Sequence, residues 1–294
     1  MSTDLQTVTP TALPEPGIYK GIDDRVYRKW PATSPSSAKP ALVSMMEYQA
    51  SLISPREETD LMRLGSLCHA AVMEPDTMLR KFALWEGDRR AGNEWKDFAK
   101  ANADKILVTK VQLDIASKVR DRCNRHPAIR RIMAQVQDVE VSLRWDHKCE
   151  RSDNAIACKG RPDMLMPGRI PDVKTTNSLA DKSRASIIAS KGYDVSMAAY
   201  QIGVKEVIGE LWQPVLIWIC TKYPHDAIVR FMEDDWIGRG QDQWIDAIEK
   251  IAIAKQTNKY PGKDDQEAPE IMPPYLDSDT GSLGLVGLNE ESED

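Results

Sequence analysis

Apolar residues recur along this chain with two different periods, and these periods predict where helices and strands lie. From residue 56 to 73 the apolar positions return every three or four residues behind an acidic first turn, which indicates a helix. Ser36 or Ser37 is placed to cap an earlier helix that runs to about residue 52. Further helices are predicted over about 110–136 with an interruption near Pro127, and over 179–191, 194–210 and 234–256.

A period of two replaces the helical period after residue 138. Val139, Val141, Leu143 and Trp145 alternate with polar residues, which predicts a half-buried strand with Glu140 on its polar face. Residues 155–166 and 170–175 predict two more strands joined by a Pro-Gly turn at 167–168, so the three are expected to form a small antiparallel meander. Strands are also predicted over 214–221 and about 227–232, and the order of elements indicates a mixed α/β (α+β) fold.

The two ends of the chain differ in composition from its middle. Six prolines fall within the first 40 residues, so residues 1–35 are predicted to be a Pro-rich extension. Residues 261–294 hold ten acidic residues and one lysine without any helical or strand period, and we predict a disordered tail. The net charge of −6 therefore divides into −9 on this tail and +3 on the rest, and the folded domain is expected over residues 36–260.

Length and composition indicate a globular protein with a sizeable core, since 41% of the 294 residues are hydrophobic and 29% are charged. No run of 18 apolar residues occurs, and the first residues lack the features of a signal peptide. The expectation is a cytoplasmic protein without membrane contact. The five cysteines form no CxxC pair, and buried reduced thiols are predicted. A zinc site at His147, Cys149 and Cys158 would match no standard spacing and would lack a fourth ligand.

The segment CKGRPDMLMPGRIPDVKTT, residues 158–176, carries the candidate chemistry. Side chains two residues apart on a strand share a face, so Asp172 and Lys174 project together while Val173 points into the core. If the neighbouring strand brings Asp163 to the same place, two carboxylates and an ammonium group converge. Such a cluster favours a hard divalent cation, Mg²⁺ or Mn²⁺, and with it the hydrolysis of phosphodiesters. Taken alone, however, an Asp-x-Lys pair on a strand is usually a solvent-facing ion pair worth about 0–1 kcal/mol.

Five segments in order carry a resemblance to a known family. They are GSLCHAAVMEPD (65–76), VEVSLRW (139–145), CKGRPDMLM (158–166), IPDVKTT (170–176) and GYDVSMAAYQIG (192–203). Together they resemble the exonuclease VIII (RecE-type) nuclease domain of the PD-(D/E)XK superfamily, which is related to lambda-type and RecB-type nucleases. The resemblance covers about residues 36–235. It implies a restriction-endonuclease-like core with a central mixed sheet flanked by helices.

The resemblance also implies roles for individual residues. Asp163, Asp172 and Glu140 would be catalytic metal ligands, His69 a further ligand, and Lys174 the catalytic lysine, with two Mg²⁺ or Mn²⁺ ions bound. The alternative for His69 is a helix histidine hydrogen-bonded within the core. Relatives carry a Gln-x-x-x-Tyr motif after the catalytic strand, and here Tyr200 matches it whereas Ser196 replaces the glutamine. That replacement puts a DNA contact from position 196 in doubt.

Basic residues near the motifs are the candidate DNA contacts, because phosphates are most often bound by Arg and Lys. Arg161 is the foremost of them, followed by Lys159, Lys182, Arg184 and Lys191. For the last three, a solvated helix face is an equally good interpretation.

The sequence therefore predicts a Mg²⁺-dependent exodeoxyribonuclease of phage or prophage origin. By resemblance it would degrade linear double-stranded DNA from 5′ ends as a ring-shaped homo-oligomer, a trimer or tetramer, and leave 3′ single strands for a RecT-like annealing protein used in recombination. One alternative is a RecB-like or Cas4-like single-strand nuclease. Another is a DNA-end-binding module that has lost its chemistry, which the intact Asp163, Asp172 and Lys174 argue against.

Overall fold

The computed structural model describes residues 12–54, 58–152 and 154–263. The first eleven residues and the predicted acidic tail from residue 264 onward lie outside the described residues. Contacts within the chain divide it into two units, residues 1–262 and 263–294, and the fold described below is that of the first. Among the described helices, none is long and apolar enough to cross a membrane.

Helices and strands alternate through the described part of the chain. The helices are α1 (Asp24–Lys29), α2 (Pro35–Ala38), α3 (Met45–Ile53), α4 (Asp60–Met73), α5 (Met78–Lys81), α6 (Gly92–Ala101), α7 (Lys110–Arg125), α8 (Pro127–Met133), α9 (Asp181–Lys191), α10 (Tyr193–Ile208) and α11 (Asp234–Thr257). The strands are β1 (Gly17–Tyr19), β2 (Phe82–Trp85), β3 (Ile106–Thr109), β4 (Asp138–Val139), β5 (Ser142–Lys148), β6 (Ala155–Gly160), β7 (Met164–Leu165), β8 (Arg169–Thr176), β9 (Gln213–Cys220) and β10 (Ala227–Phe231).

Strand β9 is the middle strand of a mixed three-stranded sheet in the order β10-β9-β8. Strand β8 runs parallel to β9, so that Asp172 lies opposite Leu216 and Lys174 opposite Trp218, and β10 is antiparallel. All of β9 after its first residue is buried, which agrees with its almost uninterrupted apolar sequence.

Two hydrophobic cores lie on opposite faces of β9. Val215, Ile217 and Ile219 pack with helices α4, α7 and α8. Leu216 and Trp218 pack with α9, α10 and α11. A central mixed sheet flanked by helices confirms the predicted mixed α/β, restriction-endonuclease-like fold.

The predicted antiparallel meander is only partly correct. Strands β5 and β6 do pair antiparallel, with Leu143 opposite Gly160. Strand β8 does not continue that sheet, because it pairs with β9, and only an isolated bridge from Met166 to Arg169 closes the Pro-Gly turn. The short strand β7 pairs with β4 instead.

The predicted helix over about 36–52 is also wrong as a single element. Ser34 caps the short α2, Pro40 lies in a 3₁₀ turn, and Ser44 begins a new helix, α3, by accepting the backbone N–H of Glu47. Two successive caps with a proline between them therefore divide the segment.

Residues 17–35, assigned above to the Pro-rich extension, pair with strands β5 and β6. Strand β1 pairs antiparallel with β5, and Ile18 lies opposite Leu143. Trp30 is buried, and Thr33 forms a parallel bridge to Cys158 on the far edge of β6. This segment passes over one end of the β5–β6 pair and contributes to the surroundings of the site.

Candidate active site

His69 of helix α4 lies between two carboxylates that are distant from it in sequence. Its Nε2 is 2.5 Å from Oδ2 of Asp163, and its Nδ1 is 3.6 Å from Oε1 of Glu140. One ligand atom from each of the three residues lies within 4.8 Å of the others. The fold thus brings together three of the predicted metal ligands.

Glu140 reaches this position through a break in its strand. Its backbone has φ of +50°, in the left-handed region that residues other than glycine seldom adopt, and its N–H donates to the carbonyl of Asp163 over 2.9 Å. The prediction of Glu140 on the polar face of a continuous strand is therefore wrong, since β4 ends at Val139 and β5 begins at Ser142.

The Gly-Arg-Pro-Asp segment fixes the position of Asp163. The backbone N–H of Val173 donates to Oδ2 of Asp163 over 2.7 Å, which connects the carboxylate to β8. Gly160 lies against the ring of Tyr200, and a Cβ atom at position 160 would approach a ring carbon to 2.9 Å. Only glycine fits there without displacing the ring.

Asp172 and Lys174 project from the same face of β8, as predicted, and Val173 points into the core between α4 and the sheet. The two charged side chains form an ion pair, with Nζ of Lys174 in direct contact with Oδ2 of Asp172. Asp172 is 1% exposed and Lys174 is half-buried, so this is not the solvent-facing pair considered above.

The pKa values of the two aspartates are shifted in opposite directions. Burial and the neighbouring charge of Asp163 raise the pKa of Asp172, despite the attraction of Lys174. Burial also acts to raise the pKa of Asp163, but the charges of His69 and Lys174 outweigh it, and the pKa is lowered. Two carboxylates close enough to repel each other in this way typically divide the charge between them.

The other ionisable groups indicate an excess of negative charge. Burial and Asp163 raise the pKa of Glu140 to about 7. Burial opposes the charged forms of His69 and Lys174, yet the carboxylates around them raise the pKa of both. A divalent cation would neutralise these carboxylates and meet oxygen and imidazole ligands, so the residues fit Mg²⁺ or Mn²⁺.

Aromatic rings from α10 lie beside the charged groups. Nζ of Lys174 is 4.8 Å from the ring centroid of Tyr193, within the range of a cation–π contact. The ring of Tyr200 covers Gly160, whereas the hydroxyl of Ser196 donates to the carbonyl of Gly192 over 3.3 Å. Ser196 thus makes a contact within its own helix.

Two of the predicted DNA contacts bind the N-terminal segment. The Nζ of Lys159 donates to the carbonyls of Tyr27, Arg28 and Trp30 at 2.9–3.1 Å, and these bonds use all three of its protons. Burial lowers the pKa of this lysine to about 8. This geometry favours a structural role for Lys159 over phosphate binding.

Arg161 is held in the same region. Its guanidinium donates to Ser142 Oγ and to the carbonyl of Ile22, contacts Asp24, and lies 4.3 Å from the ring centroid of Tyr27. A phosphate would have to compete with these partners.

The remaining candidates lie on α9. Lys182 and Lys191 are exposed. Arg184 is buried and bonds to the carbonyl of Leu179 and to Asp181. The two lysines are thus at the surface of α9, whereas the arginine is bonded to residues at the start of that helix.

Tyr27 and Tyr193 are neighbours of the site that sequence reasoning did not select as functional. Tyr193 lies in the last of the five segments without a role assigned to it, and Tyr27 lies 38 residues before the first of them. A contact between a ring face and a charged group leaves no periodic signal in a sequence, so only the fold reveals it.

Comparisons with known proteins concern the family and the fold of the chain. Residues 34–268 match the model of a family described as a PDDEXK-like domain of unknown function (DUF3799). The crystal structure of a presumed exonuclease from Eubacterium rectale is similar, with a TM-score of 0.56 and 13% identity over 86% of this chain and 94% of that one. A second structure, SSO0001, has a TM-score of 0.28 and 12% identity over 74% of this chain and 84% of that one, which is too low to support an argument. No curated protein matches the chain.

Proposed function

Because its residues 34–268 match the family model, the chain belongs to the PDDEXK-like family DUF3799, and we propose that it is a Mg²⁺-dependent or Mn²⁺-dependent exodeoxyribonuclease. The proposed substrate is linear double-stranded DNA. One observation carries the proposal: His69, Glu140 and Asp163 converge beside the buried Asp172–Lys174 pair, and Asp163 is connected to that strand by the N–H of Val173.

His69, Glu140, Asp163 and Asp172 are the proposed ligands of two divalent cations. When bound there, a divalent cation would polarise the phosphodiester and favour ionisation of the attacking water near neutral pH. The carboxylates contribute by holding negative charge on the protein side of the site. His69 contributes by separating Glu140 from Asp163, since its two ring nitrogens face one carboxylate each.

Lys174 provides the positive charge of the proposed site. Its pKa is raised by Asp172, so the side chain stays protonated at neutral pH and presents a fixed positive charge. A charge fixed in a water-poor site stabilises the negative charge that develops on the phosphate oxygens during attack. The ring of Tyr193 and the carboxylate of Asp172 orient Nζ for that role.

We further propose digestion from 5′ ends by a ring-shaped homo-oligomer, with release of 3′ single strands to a RecT-like annealing protein. The support is the family resemblance of the five sequence motifs. The charge of +3 on residues 1–260 agrees with it, because a ring retains DNA by topology and needs fewer phosphate contacts than a tight monomeric binder.

The test uses linear duplex DNA labelled at the 5′ or the 3′ end, and a covalently closed circle, each with and without Mg²⁺. The expected result is cation-dependent loss of the 5′ label as mononucleotides or short products, with the circle intact. Asp163→Asn should abolish the reaction, and Asp242→Asn, an exposed position on α11, is the matched control.

Different outcomes reject different parts of the proposal. Cutting of the circle at a comparable rate would reject the exonuclease and leave an endonuclease. Preference for single-stranded DNA would favour a RecB-like activity. Binding of ends without cleavage under any divalent cation would reject the nuclease altogether.

A further inference from the structure

A second group of metal-ligating side chains lies at the other end of the β5–β6 pair. His147 is near the end of β5, Cys149 follows that strand, and Glu249 comes from the middle of α11. One ligand atom from each lies within 4.8 Å of the others. Glu249 is 1% exposed and Cys149 is 6% exposed, so the group is largely closed to solvent.

The ligand atoms of this group have unused capacity. Nε2 of His147 is buried, lies 3.7 Å from Oε1 of Glu249, and makes no hydrogen bond to any residue that the structure describes. The two carboxylate oxygens of Glu249 each accept one backbone N–H, from Glu150 over 2.6 Å and from Arg151 over 3.0 Å. Each oxygen retains a further lone pair, and these hydrogen bonds hold the carboxylate in place.

The ligand types in this group favour one metal ion over another. Thiolate and imidazole are the ligands that Zn²⁺ prefers, whereas Mg²⁺ takes oxygen ligands almost entirely. We propose that His147, Cys149 and Glu249 bind one Zn²⁺ ion, with the fourth position open to water, and that this ion ties the tip of the β5–β6 hairpin to α11.

The fold replaces one of the three residues that the sequence offered for such a site. A site built from His147, Cys149 and Cys158 was set aside for want of a standard pattern, and in the structure the thiol of Cys158 donates to the carbonyl of Ile156. Glu249, which is 100 residues after Cys149, takes its place. The site is separate from the proposed nuclease centre, which consists of His69, Glu140, Asp163, Asp172 and Lys174. Seven residues of chain from Glu140 to His147 span roughly 20 Å at the rise of a strand.

Cobalt spectroscopy of the whole chain is the deciding experiment. The protein is stripped with chelator and titrated with Co²⁺, because a cobalt–thiolate bond gives a near-ultraviolet charge-transfer band and none of the ligands proposed for the nuclease centre is a thiolate. We expect the band to saturate at one equivalent and to disappear on addition of one equivalent of Zn²⁺. The spectrum of the unmodified protein decides the point without any variant.

Variants then assign the site. Cys149→Ser should remove the band and weaken Zn²⁺ binding by at least about 100-fold, more than the loss of an outer partner usually costs. Asp163→Asn and Cys220→Ser should keep both, since one lies in the nuclease centre and the other is a buried cysteine at the end of β9. Absence of the band in the unmodified chain, or its survival in Cys149→Ser, would overturn the proposal.

Discussion

The nuclease centre and the His147–Cys149–Glu249 group lie at opposite ends of strand β5, and the pKa values of Glu140 and Asp172 at the first shift in the opposite direction from that of Glu249 at the second. At the nuclease centre burial raises the pKa of Glu140 and Asp172, and their carboxylates repel Asp163. At the other end burial also acts to raise the pKa of Glu249, but the backbone N–H groups of Glu150 and Arg151 outweigh it, and the pKa is lowered.

The difference separates a site whose carboxylates a bound cation would stabilise from one whose carboxylate the protein itself stabilises. Carboxylates that cost free energy in the folded protein are typical of functional centres, because the ligand or metal supplies the missing stabilisation. Glu249 has fixed hydrogen-bond donors and already stabilises the hairpin. Zinc at the second group would therefore add to a structure that forms without it, and chelation should leave the fold intact.

The largest expected effect is on cleavage. Lys174→Met keeps an unbranched side chain one atom shorter and removes its charge, and we expect the cleavage rate at saturating Mg²⁺ to fall by about 10²–10³-fold. Calorimetric titration with Mg²⁺ should show binding retained or strengthened, since the competing ammonium group is gone. Cleavage within tenfold of the unmodified protein would mean that Lys174 serves the fold and not the reaction.

The second prediction concerns Glu249, whose two carboxylate oxygens each accept a backbone N–H. Glu249→Gln replaces one acceptor oxygen by an N–H₂ group, which leaves a buried backbone N–H without a partner and removes the charge from the other bond. The free energy of unfolding should fall by about 2–3 kcal/mol. Denaturant unfolding in the presence of chelator measures this without any contribution from metal. An unchanged midpoint would show that the hairpin tip is not held by α11.

The third prediction concerns Glu140, where substitution is expected to raise the free energy of unfolding and not to lower it. A carboxyl group whose pKa is higher in the folded protein binds its proton more tightly there, so ionisation weakens folding. For Glu140 the loss begins above its ordinary pKa of 4.5 and is complete above about 7. Glu140→Gln should therefore stabilise the metal-free protein at pH 8, by about 2 kcal/mol after allowance for a side chain that is 32% exposed, and have no effect at pH 4.

The measurement for Glu140→Gln is thermal unfolding in chelator across that pH range. Mg²⁺ should stabilise the unmodified protein more than the variant, because the variant has lost a ligand. A variant that is less stable than the unmodified protein at pH 8 would contradict the view that ionised Glu140 lowers the free energy of unfolding.

Local patterns in the sequence predicted most helices and the acidic motif correctly. Pro127 does divide α7 from α8, and Asp172 and Lys174 do share a face of β8. Each of these features depends on residues only a few positions apart. The same patterns predicted a mixed α/β fold, because alternation of helix and strand periods is itself local.

Features that depend on distant partners were not predictable. The Pro-Gly turn at 167–168 suggested a hairpin, but β8 pairs with β9 after two intervening helices, and no local pattern specifies that parallel crossover. Lys159 and Arg161 were predicted to bind phosphate because nothing near them in sequence shows that they donate to carbonyls of residues 22–30, more than 100 positions earlier. Glu249 likewise carries no signal in α11 that it meets His147.

The smallest effect expected concerns Tyr193. Its ring faces Nζ of Lys174 at 4.8 Å and also packs beside Trp218, with ring centroids 6.1 Å apart. A cation–π contact in a partly buried site contributes about 1 kcal/mol, so Tyr193→Leu should slow cleavage by roughly fivefold. Tyr193→Phe keeps the ring face and the packing, and should cleave at nearly the rate of the unmodified protein. Rates at saturating Mg²⁺ and DNA, with melting temperatures for both variants, separate the two contributions. If Phe is as slow as Leu, the hydroxyl and not the ring face acts on the site, and orientation of Lys174 then rests on Asp172 alone.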